Sequence, residues 1–209
     1  MRVALLVVQL GIIAWIAYVA PPLTYWPMWV SAAGWIAFSN YWAAAARNAA
    51  EAKTSESAGS RRVHELLMNG GLFLLFLPVP GLRESFLPVS AAWVPLGLAL
   101  QAAFCAWAVW ARRHLGRNWS GRIEIKVGHE MVRTGPYRLL RHPIYTAMVG
   151  MYIGTAIVGG QVHALVGVAM VLIAYWRKIR MEEAKLREAF GDEYEEYRRG
   201  TWGLVPGLF

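Results

Sequence analysis

Five stretches of this chain carry no Asp, Glu, Lys or Arg: residues 3–20, 21–46, 66–82, 85–111 and 143–176. Their lengths constrain the fold more than any other feature. A helix crossing a hydrocarbon core about 30 Å thick needs about 20 mostly apolar residues, at a rise of about 1.5 Å each. The first two stretches therefore predict a pair of spans turning at Pro21-Pro22-Leu23-Thr24, and the next two a second pair turning around 80–88. The last is 34 residues long, with Gly159-Gly160-Gln161 near its middle. It predicts two short helices, about 143–158 and 162–176, forming a membrane hairpin. Met1-Arg2 resembles the start of a signal peptide, but the apolar run is long and Pro21 follows the candidate cleavage residue Ala20, so a retained helix is expected. The fold class is thus all-α and polytopic: four spans, a short-helix membrane hairpin and a cytoplasmic amphipathic helix.

Composition agrees. Hydrophobic residues make up 57% and charged ones 16%, against roughly 45–50% and about 25% in a soluble domain. A disordered chain is excluded. The single Cys excludes an intramolecular disulfide and a thiolate metal cluster. The net charge is +8, yet 20 of the 21 basic residues fall on one side of the expected spans, with Arg83 alone opposite. The positive-inside rule then puts both termini, a loop at 47–64 and a longer loop from 112 in the cytoplasm. The basic excess needs no nucleic acid to explain it and favours anionic membrane lipids. Two parts are expected: residues 1–111 as the four spans, and 112–209 as a core holding the chemistry.

Segment 54–60, Thr-Ser-Glu-Ser-Ala-Gly-Ser, predicts a polar, flexible connector. Glycine-rich nucleotide motifs and H-E-x-x-H are absent, and the five His are scattered, so no metal site is expected. Polar chemistry concentrates in two segments. The first is 114–145. Within it, 122–127 alternates polar and apolar residues and predicts a short extended piece, and Thr134-Gly135-Pro136 predicts a turn. Arg141-His142-Pro143 opens an uncharged helix whose free first-turn N–H groups can bind a carboxylate or phosphate. Tyr145 lies three residues after His142, on a neighbouring face. The second is 177–199, where Ile179, Leu186, Phe190, Tyr194 and Tyr197 form an amphipathic stripe. Gly191 ends one helix there, and Asp192 with Glu195 has the spacing of a cap for the next. Taken singly these residues have plainer readings. Arg141 and His142 suit interfacial anchors, and Glu182 and Glu183 a solvated face pairing with Arg180, Lys185 and Arg187. Cys105 suits a buried small hydrophobe and His163 a surface position in the far turn.

Their combination is more specific. Gly135-Pro136-Tyr137-Arg138-Leu139-Leu140-Arg141-His142-Pro143-Ile144-Tyr145 is followed, 37 residues after Tyr145, by Glu182-Glu183, then Leu186, Phe190-Gly191-Asp192-Glu193-Tyr194 and Tyr197. This order resembles the isoprenylcysteine carboxyl methyltransferase family and the related membrane phospholipid methyltransferases. Leu115-Gly116-Arg117-Asn118-Trp119-Ser120 is similar to a stretch that precedes the block in bacterial-type members. The resemblance covers about 95 residues, from His114 to the C-terminus. Ala147 stands where the family usually has Gly, and Gly200 and Gly203 stand where relatives carry Arg.

The resemblance implies S-adenosyl-L-methionine as methyl donor. It implies that Gly135, Pro136, Tyr137, His142, Pro143, Tyr145, Glu182 and Glu183 line or brace the donor pocket. Arg141 is expected to hold an acceptor carboxylate, and Glu183 to act in catalysis. The acceptor it implies is a lipophilic small molecule or prenylated chain reached from the bilayer. Loss of the tail arginines, unless Arg199 substitutes, leaves room for a phospholipid or lipophilic amine acceptor. A sterol-reductase-like enzyme using NADPH and a non-enzymatic membrane protein are the remaining readings.

Overall fold

The computed structural model describes residues 26–46, 52–88, 90–120, 124–126 and 131–207. The expected first span, 3–20, lies outside the described residues. Helix α1 runs Trp26–Ala45, α2 Ala58–Phe76, α3 Trp93–Leu115, α4 Pro143–Gly159, α5 Val162–Phe190 and α6 Asp192–Arg199. Single 3-10 turns occupy Gly116–Asn118 and Gly135–Arg138. Among the described residues, the helices are interrupted by one small antiparallel sheet, in which β1 (Ala52–Ser55) pairs with β2 (Glu124–Lys126). The extended piece expected at 122–127 is therefore present in its centre. The flexible connector expected at 54–60 is not: its first residues are in β1 and its last in α2. Ser57 caps α2, its hydroxyl accepting the Ser60 N–H at 3.2 Å.

Helices α3 and α5 are long and apolar enough to cross a membrane, and α4 is a shorter apolar helix. The hairpin α4–α5 turns at Gly160, whose φ of +66° lies in the left-handed region that glycine tolerates. Helix α5 does not stop at Trp176. It runs on to Phe190, 29 residues in all, about 43 Å at the standard rise. The amphipathic segment expected to begin at 177 is thus the second half of a hairpin helix. No Gly or Pro interrupts 168–190, so backbone hydrogen bonding carries the helix through the change from apolar to charged. Gly191 then breaks it, and Gly191 rather than Asp192 is the N-cap of α6.

Two close crossings hold the bundle together. A Cβ added to Gly97 of α3 would lie 2.6 Å from the Gly154 carbonyl oxygen of α4, and one added to Gly154 would lie 2.7 Å from Gln101 N. On the other side, Gly71 of α2 and Gly167 of α5 meet in the same way, at 2.8 and 2.6 Å. Helices in lipid gain little from hydrophobic burial against one another, so close backbone approach at small residues supplies much of their packing. Gly154→Val should cost about 1–3 kcal/mol, read as a lowered midpoint of thermal unfolding in detergent; an unchanged midpoint would contradict the crossing.

A polar network ties α1, α3 and α4 at their centre. Ser31 Oγ donates to Gln101 Oε1 at 2.8 Å, Gln101 Nε2 donates to Ser31 O at 3.0 Å, and Trp35 Nε1 donates to Thr155 Oγ1 at 2.9 Å. Gln101 is therefore satisfied inside the bundle. At the far end, Phe86 N donates to Gly160 O and Val162 N to Glu84 O, each at 3.0 Å, joining the 77–92 connection to the hairpin turn. His163 is buried there, against the surface expectation. Its ring nitrogens lie 2.6 Å from Leu74 O and from Gln161 Oε1.

Candidate functional site

The motif residues converge where α4 begins and α5 leaves its apolar half. The 3-10 turn Gly135–Arg138 brings the chain there. Gly135 has φ +58°, and a Cβ on it would lie 2.6 Å from the His114 ring; both facts demand glycine. The turn directs Tyr137 inward, where burial pushes its phenol pKa well up, the Glu182 charge adding to the effect. The Tyr137 carbonyl accepts the Tyr197 hydroxyl at 2.7 Å. His142 is the N-cap of α4 and Pro143 its first residue.

Adjacent carboxylates of α5 take different partners, because successive helical residues point about 100° apart. Glu183 turns inward. Arg141 Nε donates to its Oε1 at 2.8 Å, and His142 Nε2 lies 3.3 Å from the same oxygen. All three side chains are 5–9% exposed. Burial alone would raise the Glu183 pKa; the hydrogen bonds and charges of His142 and Arg141 outweigh it and hold the group at about 2. Glu182 turns the other way, 30% exposed. It accepts the Tyr145 hydroxyl at 2.6 Å, with His142 Nδ1 at 4.0 Å. Tyr145 is stacked between His142 (5.3 Å between centroids, 4° between planes) and Tyr175 (4.6 Å, 23°).

The C-terminal tail straps across the start of α4. Trp202 N donates to Leu139 O at 3.0 Å, Arg141 N to Trp202 O at 2.8 Å and His142 N to Gly203 O at 3.1 Å. Arg141 Nη1 donates to the carbonyls of Arg198, at 3.1 Å, and Thr201. The helix start thus offers an anion less than expected: Pro143 has no N–H, the His142 N–H is taken by the tail, and the Tyr145 N–H closes back on His142 O. Arg199, considered as a substitute for the missing tail arginines, is exposed. Arg198 instead turns towards Glu183, at 3.9 Å.

These groups border a cavity of about 100 Å³. Tyr137, Arg141, His142, Pro143, Tyr145 and Glu182 line it, whereas Glu183 supports it from behind through Arg141 and His142. Gly135 and Pro136 form the turn that delivers Tyr137. Asn118, Trp119 and Ser120 make one wall and Phe190, Tyr194 and Tyr197 another. Asn118, Trp119 and Ser120 were legible only as motif members, and Phe190, Tyr194 and Tyr197 as motif members on an amphipathic stripe; neither signal assigned them a place in a pocket. A second, mostly apolar groove of about 620 Å³ runs between α1 and α3, lined by Val30, Phe38, Leu98, Cys105 and Met151 among others. Among the described residues no group of three His, Cys, Asp or Glu could hold a metal ion.

Among the described residues, two helices long and apolar enough to cross a membrane thus carry a polar, aromatic-walled pocket at their charged end. The whole fold matches the solved structure of the eukaryotic intramembrane Ras methyltransferase, an isoprenylcysteine carboxyl methyltransferase: TM-score 0.59 and 18% identity, over 98% of this chain and 73% of that one. Residues 96–188 match the sequence model of the isoprenylcysteine carboxyl methyltransferase family. It is 35% identical over 86 residues to a probable protein-S-isoprenylcysteine O-methyltransferase of Oryza sativa subsp. indica, covering 41% of this chain and 45% of the relative. It is 35% identical over 79 residues to the protein-S-isoprenylcysteine O-methyltransferase of Schizosaccharomyces pombe, covering 37% and 34%. The chain therefore matches less than half the length of these relatives.

Proposed function

We propose that the protein is an integral-membrane methyltransferase that uses S-adenosyl-L-methionine to methylate the carboxylate of a lipophilic, prenylcysteine-like acceptor. The observation that carries this reading is the pairing of Glu182 with Tyr145 in an aromatic-walled pocket, inside the segment that matches the family. The pocket chemistry fits the donor. A partly exposed carboxylate suits its ammonium or ribose hydroxyls, and the aromatic walls formed by Trp119 and Tyr137 suit a sulfonium. Pockets for ligands of this size usually measure about 300–1,000 Å³, so binding requires side chains around the 100 Å³ cavity to part.

When bound, the donor supplies an electrophilic methyl group. An acceptor carboxylate is already ionised and needs no base, so the work left to the chain is orientation and exclusion of water. Glu182 and Tyr145 hold the donor side. Arg141 and Glu183, the residues expected from the sequence to act on the acceptor and in catalysis, fix the start of α4 and the tail beside it. The apolar groove between α1 and α3 offers the acceptor's hydrocarbon a place within the bilayer. In this reading, residues 112–209 form the catalytic part, residues 1–111 the membrane anchor with four spans, and the pocket and both termini face the cytoplasm.

Detergent-solubilised protein given donor labelled in the methyl group, a prenylated cysteine and phospholipid should put label into the prenylated cysteine. A methyl ester releases labelled methanol in base, whereas an N-methyl group does not. Base-stable label in phospholipid would replace this reading with the amine one, and label in neither, with NADPH bound instead of S-adenosylhomocysteine, would replace it with a reductase.

The orientation has its own test. Single cysteines at Ala58 and Glu84, with Cys105 replaced, should be labelled by an impermeant reagent from opposite sides of the membrane. Labelling from one side overturns the even-span arrangement.

A further inference from the structure

We propose that Arg112 is a positioning residue of the donor pocket and acts through Trp119; the link to the donor rests on the function proposed above. Arg112 occupies the last turn of α3 and is 4% exposed. Its Nη1 donates to Gly116 O at 2.9 Å, and its Nη2 donates to Ala45 O, the end of α1, at 2.7 Å. Both carbonyls lie at helix C-termini, where partial negative charge collects, so one guanidinium answers two helix ends. The face of the same group lies 4.2 Å from the centroid of the Trp119 ring.

Trp119 needs such support. The chain leaves α3 at Gly116, with φ +59°, and makes a single 3-10 turn before reaching it. Its ring is buried between the Arg112 guanidinium and the edge-on ring of Trp42, 5.5 Å away, while it also forms the pocket wall. Arg112 therefore couples the ends of α1 and α3 to the orientation of a ring that faces the ligand. Lysine cannot take this place. It has no planar fork to reach two carbonyls at once and no flat face to lay on an indole.

The test uses the full chain in detergent, labelled with fluorotryptophan. The Trp119 resonance is assigned by its loss in Trp119→Phe. Arg112→Lys should shift or broaden that line and leave the Trp26 line unchanged. It should also weaken S-adenosylhomocysteine binding by roughly tenfold, the size of a desolvated cation–π contact. In the Trp119→Phe background, the same change should weaken binding by less than about twofold, because coupled residues are not additive. An unmoved Trp119 line, or an equal loss in both backgrounds, overturns the proposal. Should Arg112→Lys fail to fold, Trp119→Leu, which leaves both helix caps intact, should still unfold cooperatively, at a lower midpoint because a buried ring is lost, and should lose affinity when tested well below that midpoint; retained affinity overturns the proposal. A wild-type protein that binds no S-adenosylhomocysteine overturns the donor assignment, and the fluorine line still decides whether Arg112 holds Trp119.

Discussion

Glu183→Ala should destabilise the protein by about 3–5 kcal/mol, the usual cost of removing one partner from a buried ion pair. It leaves the Arg141 and His142 side chains, 8% and 5% exposed, beside an empty space. Arg141 keeps the carbonyls of Arg198 and Thr201, so the tail should loosen rather than detach at once. Glu183→Gln keeps the shape but not the charge, and should cost about 1.5–3 kcal/mol. The neighbouring residue should behave in the opposite way. Glu182→Ala removes a partly exposed pocket group, so its unfolding midpoint should hardly move. Its affinity for S-adenosylhomocysteine should fall by about 1–3 kcal/mol, the value of a charge-assisted bond. Thermal unfolding and isothermal titration on the two variants separate the roles. Equal stability and equal affinity for both would remove Glu182 and Glu183 from the site altogether.

The same pair shows how much of the site was legible. Helical spacing and the resemblance named both carboxylates and His142, Tyr145 and Tyr137 as a group; the structure brings the carboxylates, His142 and Tyr145 within hydrogen-bonding or stacking reach of one another, and Tyr137 to the same cavity. What spacing alone did not reveal is which carboxylate faces the cavity. That depends on where Arg141 points, and Arg141 is directed by the tail. Its acceptors there are backbone carbonyls of Arg198 and Thr201, groups that every residue type carries and that leave no trace in composition. Arg112 escaped notice for the same reason: two of its partners are the carbonyls of Ala45 and Gly116.

The helices tell a related story. Charge-free stretches located α1, α3 and α4, but not α2, which starts at Ala58 inside the loop expected at 47–64 and ends at Phe76, short of the end of the stretch 66–82. They misplaced the end of α5, because a helix stops where hydrogen bonding is broken, at Gly191, and not where charge begins at Arg177. His163 looked like a surface residue because histidine in a turn is usually wet. It is buried because Leu74 O and Gln161 Oε1 occupy both ring nitrogens.

The pH dependence of turnover should decide the acceptor. A carboxylate acceptor has a pKa near 3.3–3.9, so its nucleophilic form is fully present from about pH 6 to 9 and the rate should stay within about twofold. An aliphatic amine, with a pKa near 10, gains free base about tenfold per pH unit over the same range, which makes a rise of about three decades. Glu183 does not disturb the comparison. Its pKa is lowered, so the stabilisation it gives is complete above the unfolded value near 4.3 and is lost only as pH falls towards about 2. Glu182 supplies the second arm. If the acceptor is a carboxylate, Glu182→Gln retains an acceptor for the Tyr145 hydroxyl and should raise KM for the donor more than it lowers kcat. If it is an amine, the carboxylate is the group placed to take its proton, and the same change should lower kcat by about 100-fold or more. A flat profile with a KM effect supports the carboxylate. A rising profile with a collapsed kcat would assign the protein to amine methylation, where the absence of arginine at Gly200 and Gly203 becomes an advantage, since a cationic or protonatable acceptor is repelled by every arginine added beside it.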